Sequence, residues 1–121
     1  MTTAETGRAG ECAAAEHLRR EGYEMLARNW REGRYELDLV ALRDDVLHFV
    51  EVKTRRFDGL TPPEAAMTAD KCRALRRAAS AYLARSGWQG EVQFDLAAVD
   101  IRPDGTTDVR FIEEAVEYNW R

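Results

Sequence analysis

Apolar residues recur along the chain with a helical period in some segments and a strand period in others. The segments are helices at about 4–21 and 69–85, a short helical turn at 59–64, and strands at 23–30, 35–42, 46–54, 91–101 and 108–116. Thr3 or Thr6 would cap the first helix and Gly22 would end it, while Thr68 and Gly87 would bound the second long helix. This order predicts an α/β fold with one mixed central sheet flanked by helices.

The length and apolar content of the chain predict a single domain over residues 1–121. Hydrophobic residues make up 45% of the 121 positions, which is enough for a core of its own. No apolar run approaches the roughly 18 residues of a membrane-spanning helix, and the first residues do not resemble a signal peptide. Cys12 and Cys72 have no metal-ligand spacing. We therefore expect a cytoplasmic protein with no membrane contact and no zinc site.

Charged residues interrupt the second and third predicted strands at matching positions. An even-length turn centred on 44–45 keeps the apolar side chains of both strands on shared faces. The same register sets Asp38 opposite Glu51, and Glu36 opposite Lys53. Because side chains alternate along a strand, all four charges should emerge on one face at one end of the hairpin. The other face should be core, and it consists of Leu37, Leu39, Val50 and Val52.

Two interpretations fit the opposed acids Asp38 and Glu51. Directly opposed residues have Cβ atoms about 4.5 to 5.5 Å apart, a separation at which like charges destabilise a sheet. A divalent cation would remove this repulsion, and carboxylate oxygens suit Mg²⁺ or Mn²⁺ with phosphate at the remaining positions. Lys53 would then assist an attacking water or neutralise charge on the phosphate. Alternatively, Glu36 and Lys53 form an ordinary ion pair and the two acids simply extend into solvent.

The net charge of −4 conceals a basic middle segment. Residues 53–85 carry eight cations against three acids, whereas residues 1–52 carry seven against eleven and residues 86–121 three against eight. The basic segment is either a solvated, arginine-rich helix face or a surface that faces phosphates. Only Lys53 and Lys71 are lysines, and the helical period places Lys71 on the inward side of its helix. The overall acidity argues against a nonspecific nucleic-acid coat protein.

Two further acids lie within apolar surroundings. On a helical wheel Glu11 falls beside Ala14, Ala15 and Leu18, so it either reaches solvent at the edge of the stripe or points into a polar pocket. Asp95 interrupts the dense apolar strand at 91–101. We interpret Asp95 as a partnered structural acid, because an unpaired buried carboxylate is costly.

Several longer motifs occur in a fixed order from about residue 7 to residue 100. They are Gly7-Arg8-Ala9-Gly10-Glu11, Arg28-Asn29-Trp30-Arg31, Glu36-Leu37-Asp38-Leu39-Val40-Ala41, Phe49-Val50-Glu51-Val52-Lys53-Thr54-Arg55, the segment around Lys71, and Phe94-Asp95-Leu96. With these motifs the chain resembles the bacterial YraN family. That family is similar to Holliday-junction resolvases and to the PD-(D/E)xK nuclease superfamily. The resemblance implies a restriction-endonuclease-like fold and a phosphodiesterase site.

The resemblance also implies roles for individual residues. Asp38, Glu51 and Lys53 take the metal-binding and catalytic positions, and Glu11 takes that of an accessory acid that adds a metal ligand. Tyr35 stands where the family usually has glycine. A tyrosine beside the site would narrow substrate access or stack on a base.

We therefore predict a nuclease-like enzyme that requires Mg²⁺ or Mn²⁺ and acts on phosphodiester bonds of DNA, including structured or branched DNA. Lys71, Arg55 and Arg56 would contact phosphates, and Glu36 would be an accessory residue. One alternative is a non-catalytic nucleic-acid-binding module of the same fold that assists repair or recombination. Another is a protein-interaction domain whose acids are only solvated. A homodimer is expected if the substrate is a junction.

Overall fold

A computed structural model describes residues 2–56 and 67–116, and the order of its elements is the predicted one. They are α1 (Thr3–Arg20), β1 (Glu24–Glu32), β2 (Tyr35–Arg43), β3 (Val46–Arg56), α2 (Ala69–Ser86), β4 (Glu91–Ile101) and β5 (Thr107–Val116). The strands form a five-stranded sheet in the order β1-β2-β3-β4-β5, with β3 and β4 parallel and the other neighbours antiparallel. The predicted α/β class is confirmed, and the fold is restriction-endonuclease-like.

The ends of both helices are set by capping residues. Thr2 has an extended backbone, and its hydroxyl accepts a hydrogen bond from the Glu5 N–H at 3.1 Å. The cap of α1 is therefore Thr2, and neither threonine predicted for this role is correct. Thr68 caps α2 as predicted, and Gly87 ends that helix with a left-handed φ of 71°. The helical turn expected at 59–64 lies outside the described residues. Within the described residues, no helix is long and apolar enough to cross a membrane.

The hairpin between β2 and β3 has the predicted register near its turn. The two turn residues at 44–45 have φ values of 51° and 62°, the left-handed pair that a type I′ turn requires. Leu42 lies opposite Leu47, and the paired ladder continues to Leu39 opposite Val50. The described pairing of β2 with β3 ends there, one position before the two opposed acids.

The side chains of β2 do not alternate strictly between the two faces of the sheet around Asp38. Asn29 in β1 has a φ of 51°, and the β1–β2 register is the same on both sides of it, with Arg28 opposite Leu39 and Trp30 opposite Leu37. Leu37 then packs in the core under α2, while Leu39 packs in the core under α1. The prediction that Leu37 shares a core face with the other three apolar residues is therefore wrong. The physical reason lies within β2 itself, where the strict alternation of side chains is interrupted between Leu37 and Leu39.

The two helices cover opposite faces of the sheet. The core under α1 includes Ala14, Leu18 and Val50, and the core under α2 includes Phe49 and Leu75. These apolar faces fix both helices against the hairpin, so that residues near their first turns lie at the same end of β3.

The first of these helices comes unusually close to β3. A Cβ added to Gly10 would lie 1.6 Å from Thr54 Oγ1, so the contact requires a residue without a side chain. This close approach sets the position of the next residue, Glu11, relative to the end of β3.

Candidate active site

Acidic residues from α1, β2 and β3 line two cavities near the end of the β2–β3 ladder. A cavity of about 650 Å³ is lined by Glu11, Glu51 and Lys53, among other residues. A second cavity of about 240 Å³ is lined by Asp38 and, again, by Glu51. Glu51 therefore lies at the boundary between the two cavities, with Glu11 on one side of it and Asp38 on the other.

Asp38 is fixed by the backbone of β3. Its Oδ2 accepts a hydrogen bond from the Val52 N–H at 2.8 Å, beyond the last paired residues of the ladder. Burial, followed by repulsion from Glu51, raises the pKa of Asp38 to about 7, with a smaller contribution from Glu11. The Val52 hydrogen bond and the positive charge of Lys71 act in the opposite direction. For the carboxyl group of Asp38, burial and the neighbouring acids thus outweigh the Val52 hydrogen bond and the charge of Lys71.

Lys71, in the first turn of α2, forms an ion pair with one of these acids, Glu51. Its Nζ donates to Glu51 Oε1 at 3.0 Å, and the Glu51 side chain is only 14% exposed. The hydrogen bond to Glu51 and the attraction of the same carboxylate raise the pKa of Lys71, and more distant attraction by Asp38 adds to this. The ammonium is therefore firmly charged and neutralises one of the two opposed acids. The Thr68 cap places Lys71 there, because its hydroxyl accepts from the Lys71 N–H at 3.3 Å.

Glu36 and Lys53 do not form the cross-strand pair that the register predicts. Glu36 Oε2 lies 3.7 Å from Arg31 Nε of β1, and both side chains are exposed. Lys53 is exposed, lines the larger cavity, and makes no ion pair with residues 2–56 or 67–116. The reason is geometric, since the ladder that would bring Glu36 to Lys53 ends before it reaches them. The ion-pair alternative is therefore wrong for this pair.

The two arginines that follow Lys53 are placed differently. Arg55 Nε donates to Asp100 Oδ1 of β4 at 2.9 Å, and the exposed fractions of the two side chains are 20% and 15%. This pair joins two neighbouring strands and does not bring Arg55 to either cavity. Arg56 is exposed and lines the larger cavity with Lys53.

Asp38 and Glu51 are the residues of this site that could hold a divalent cation. In the described part of the chain, no three His, Cys, Asp or Glu side chains are grouped closely enough to hold a metal ion together. Mg²⁺, however, commonly binds through one or two protein carboxylates and keeps several waters. Asp38 and Glu51 are such a pair, with one oxygen of each engaged by Val52 and Lys71 respectively. Glu11 is near enough to affect Asp38 electrostatically.

A buried histidine–aspartate pair lies apart from these acids and was not predicted. His48 Nδ1 is 2.6 Å from Asp95 Oδ2, and the two residues are 3% and 0% exposed. The other carboxylate oxygen accepts from Gln93 Nε2 at 2.8 Å and from the Glu114 N–H at 2.9 Å. The interpretation of Asp95 as a partnered structural acid is confirmed. Its partner His48 becomes evident only from the parallel register of β3 and β4, which no local motif indicates.

Sequence comparison covers nearly all of the site. The model of the uncharacterised protein family UPF0102 matches residues 10–99, a span that includes the acids and both lysines. A UPF0102 protein of Symbiobacterium thermophilum is 48% identical over 110 residues, which are 90% of this chain and 93% of that protein.

Other relatives extend the match across distant bacteria. A UPF0102 protein of Nitratidesulfovibrio vulgaris is 47% identical over 98 residues, covering 80% of this chain and 73% of that protein. One from Bacteroides thetaiotaomicron is 40% identical over 111 residues, covering 92% and 91%. The resemblance to the YraN family is thereby confirmed, and the chain belongs to the uncharacterised protein family UPF0102.

Proposed function

We propose that this protein is a metal-dependent nuclease that hydrolyses phosphodiester bonds of DNA, including structured or branched DNA. The observation that carries the proposal is the position of Asp38 and Glu51 where two cavities meet, with Lys71 against Glu51. Each of these two acids has a polar contact, Asp38 with the Val52 N–H and Glu51 with Lys71. They are well placed to act on a group that passes from one cavity to the other.

The charges around the cavities favour a phosphate-bearing substrate. Lys53, Arg56 and Lys71 line the larger cavity, and Arg34 and Arg77 line the smaller one together with Lys71. Cations on both sides of a carboxylate pair suit a polyanion held across the acids. This local distribution outweighs the net charge of −4, because a binding surface is set by the charges that line it.

Each residue has a distinct role in this proposal. Asp38 and Glu51 would hold Mg²⁺ or Mn²⁺, and Glu11, which is not grouped closely enough with them to complete a three-acid site, would orient a bound water. When bound, the ion would supply Lewis-acid stabilisation of the phosphoryl oxygens. Lys53 would orient the attacking water and neutralise charge that develops on the phosphate. Lys71 would leave its ion pair with Glu51 and contact a substrate phosphate instead.

A cleavage screen with matched variants tests this proposal. Single-stranded, duplex and branched DNA, with RNA of the same sequence, are incubated with Mn²⁺ or Mg²⁺. Glu51→Gln and Lys53→Ala should each lower the cleavage rate by at least about 100-fold, the usual scale for loss of a group that acts in the transition state. Glu16→Gln, an exposed substitution elsewhere on α1, should leave the rate unchanged. Cleavage that persists in Glu51→Gln, or that continues in EDTA, would overturn the proposal.

A second candidate is a nucleic-acid-binding module of the same fold without catalysis. The observation that favours it is the Lys71–Glu51 ion pair, which neutralises one of the acids without a metal ion. This candidate predicts binding that weakens with salt and no cleavage with either metal ion. Titration calorimetry with Mn²⁺ separates the two, since only the nuclease requires a divalent site that Asp38→Asn abolishes.

A further inference from the structure

The smaller cavity has the size and lining of a pocket for one nucleobase. It lies between the beginning of β2 and the first turns of α2, and its volume is about 240 Å³. Its lining divides into an aromatic and apolar part and a charged part. The first consists of Tyr35, Ala74 and Leu75, and the second of Arg34, Glu36, Asp38, Glu51, Lys71 and Arg77.

Tyr35 provides a surface on which a base can stack. The residue is half-buried and packs against the core under α2, where Leu75 is 4% exposed. A ring held by a packed core needs little ordering when a ligand binds, which favours affinity. Every nucleobase has a π-face, so one aromatic side chain accepts any of them.

The volume of the cavity favours an unpaired base over a base within a duplex. Pockets for drug-sized ligands are typically about 300–1,000 Å³, so a cavity of about 240 Å³ admits one small planar group and excludes a duplex. A base within a duplex is stacked on both sides and reaches such a pocket only when it is unpaired or flipped out. Arg34 and Arg77 are exposed and line the same cavity, where they can contact the phosphates attached to that base.

Glu51 and Lys71 connect this cavity with the larger one. Both residues line both cavities, so a strand with one base in the smaller cavity continues past the acids into the larger. There it meets Lys53 and Arg56, and also Gly7, where an added Cβ would have no atom within 4 Å and the backbone can approach closely.

We infer that the smaller cavity binds one unpaired nucleotide next to the phosphodiester bond at Asp38 and Glu51. The substrate is then a single strand or an unpaired segment of a larger structure, such as a gap, flap or junction arm. This inference rests on the proposed function for the position of the bond. The preference for an unpaired base is a separate property that binding alone reveals.

Fluorescence anisotropy in EDTA, where no metal-dependent cleavage occurs, tests the inference. The probes are a labelled single strand, the same strand in a full duplex, and a duplex with a short gap. Wild-type protein should bind the single strand and the gapped duplex at least about tenfold more tightly than the full duplex. Tyr35→Ala should weaken the first two by about 5- to 150-fold, the equivalent of a 1–3 kcal/mol stack, and leave duplex binding unchanged. Tyr35→Phe keeps the ring and should behave as wild type.

A second variant keeps the inference testable if Tyr35→Ala fails to fold. Ala74 is exposed on α2, so Ala74→Trp fills the cavity without removing a core contact. It should reduce binding of the single strand and spare the duplex. Equal affinity for all three probes, or an equal loss for all three in Ala74→Trp, would overturn the inference.

Cleavage results separate this inference from the nuclease proposal. If the protein prefers unpaired DNA in a Tyr35-dependent way but cleaves nothing with any metal ion, the inferred nucleotide pocket is supported and the nuclease proposal is contradicted. If the protein cleaves full duplex in a metal-dependent way and shows no preference for unpaired bases, the nuclease proposal is supported and the inferred nucleotide pocket is contradicted.

Discussion

Asparagine at position 38 would remove one ionisable group from the candidate active site while keeping the shape of the side chain. Its Oδ1 can still accept the hydrogen bond from the Val52 N–H that Asp38 accepts at 2.8 Å. What disappears is a charge that burial and Glu51 disfavour. We expect Asp38→Asn to be more stable than the wild type above about pH 7 and to show no such gain near pH 4.

The raised pKa of Asp38 fixes the direction and size of this effect. The folded protein keeps the proton up to about pH 7, whereas the unfolded chain releases it near the ordinary value of 3.8. Between these values the folded state binds more protons, so the wild-type free energy of unfolding falls as the pH rises. At about 1.36 kcal/mol for each pH unit, the full difference corresponds to roughly 4 kcal/mol. Solvent screening of the exposed part of the carboxyl reduces this to about 2–4 kcal/mol.

Urea titrations followed by tryptophan fluorescence, from about pH 4 to 8.5 in EDTA, measure the effect. Asp108→Asn, which changes an exposed acid on β5, serves as the matched control and should retain the wild-type pH dependence. A wild-type stability that stays flat between pH 4 and 7 would refute the reasoning, as would the same decline in Asp38→Asn. Mg²⁺ at pH 8 should then stabilise the wild type by about 1.4 kcal/mol at ten times its dissociation constant, and should leave Asp38→Asn unchanged.

Two further substitutions test the ion pair and the close contact of α1 with β3. Lys71→Met removes the ammonium that pairs with Glu51, so it should raise the affinity for Mg²⁺. It should also lower the affinity for nucleic acid, because no ammonium is left to contact a phosphate. Calorimetry that shows weaker Mg²⁺ binding in this variant would contradict the reasoning. Gly10→Ala should lower the free energy of unfolding by about 1–3 kcal/mol, since its Cβ would overlap Thr54. In the same urea titrations Gly7→Ala, where space is open, should be neutral or stabilising by up to about 1 kcal/mol; equal losses in the two variants would show that the contact is looser than the structure indicates.

The fold was predictable because its signals are local. Apolar periods locate the helices and strands, the Thr68 cap and Gly87 bound α2, and the two residues at 44–45 impose the hairpin register from Leu42 and Leu47 onward. Each of these features depends on a few neighbouring residues, and the tertiary structure agrees with all of them.

The details of the site were less predictable, because they depend on contacts between elements. The predicted register holds as far as Leu39 opposite Val50, but the described ladder ends there, before the predicted pairing of the two acids, and the Val52 N–H is the hydrogen-bond partner of Asp38. Leu37 packs under α2 whereas Leu39 packs under α1, and this change of face lies beside a left-handed Asn29 in another strand. A pattern within β2 and β3 alone carries no information on that residue.

The second lysine shows what the tertiary structure adds to the chemistry. Without a divalent ion, Lys71 neutralises Glu51 and a proton neutralises Asp38 up to about pH 7. A metal ion that binds both carboxylates would therefore compete with an ammonium at Glu51 and, near neutral pH, with a proton at Asp38. In the proposed function, an ammonium released from Glu51 stays on the first turn of α2, at the boundary of both cavities, and pairs with a substrate phosphate. Metal and nucleic acid should consequently raise each other's affinity by the same factor, as linkage requires. An isolated acid pair in a strand hairpin would have no such coupling.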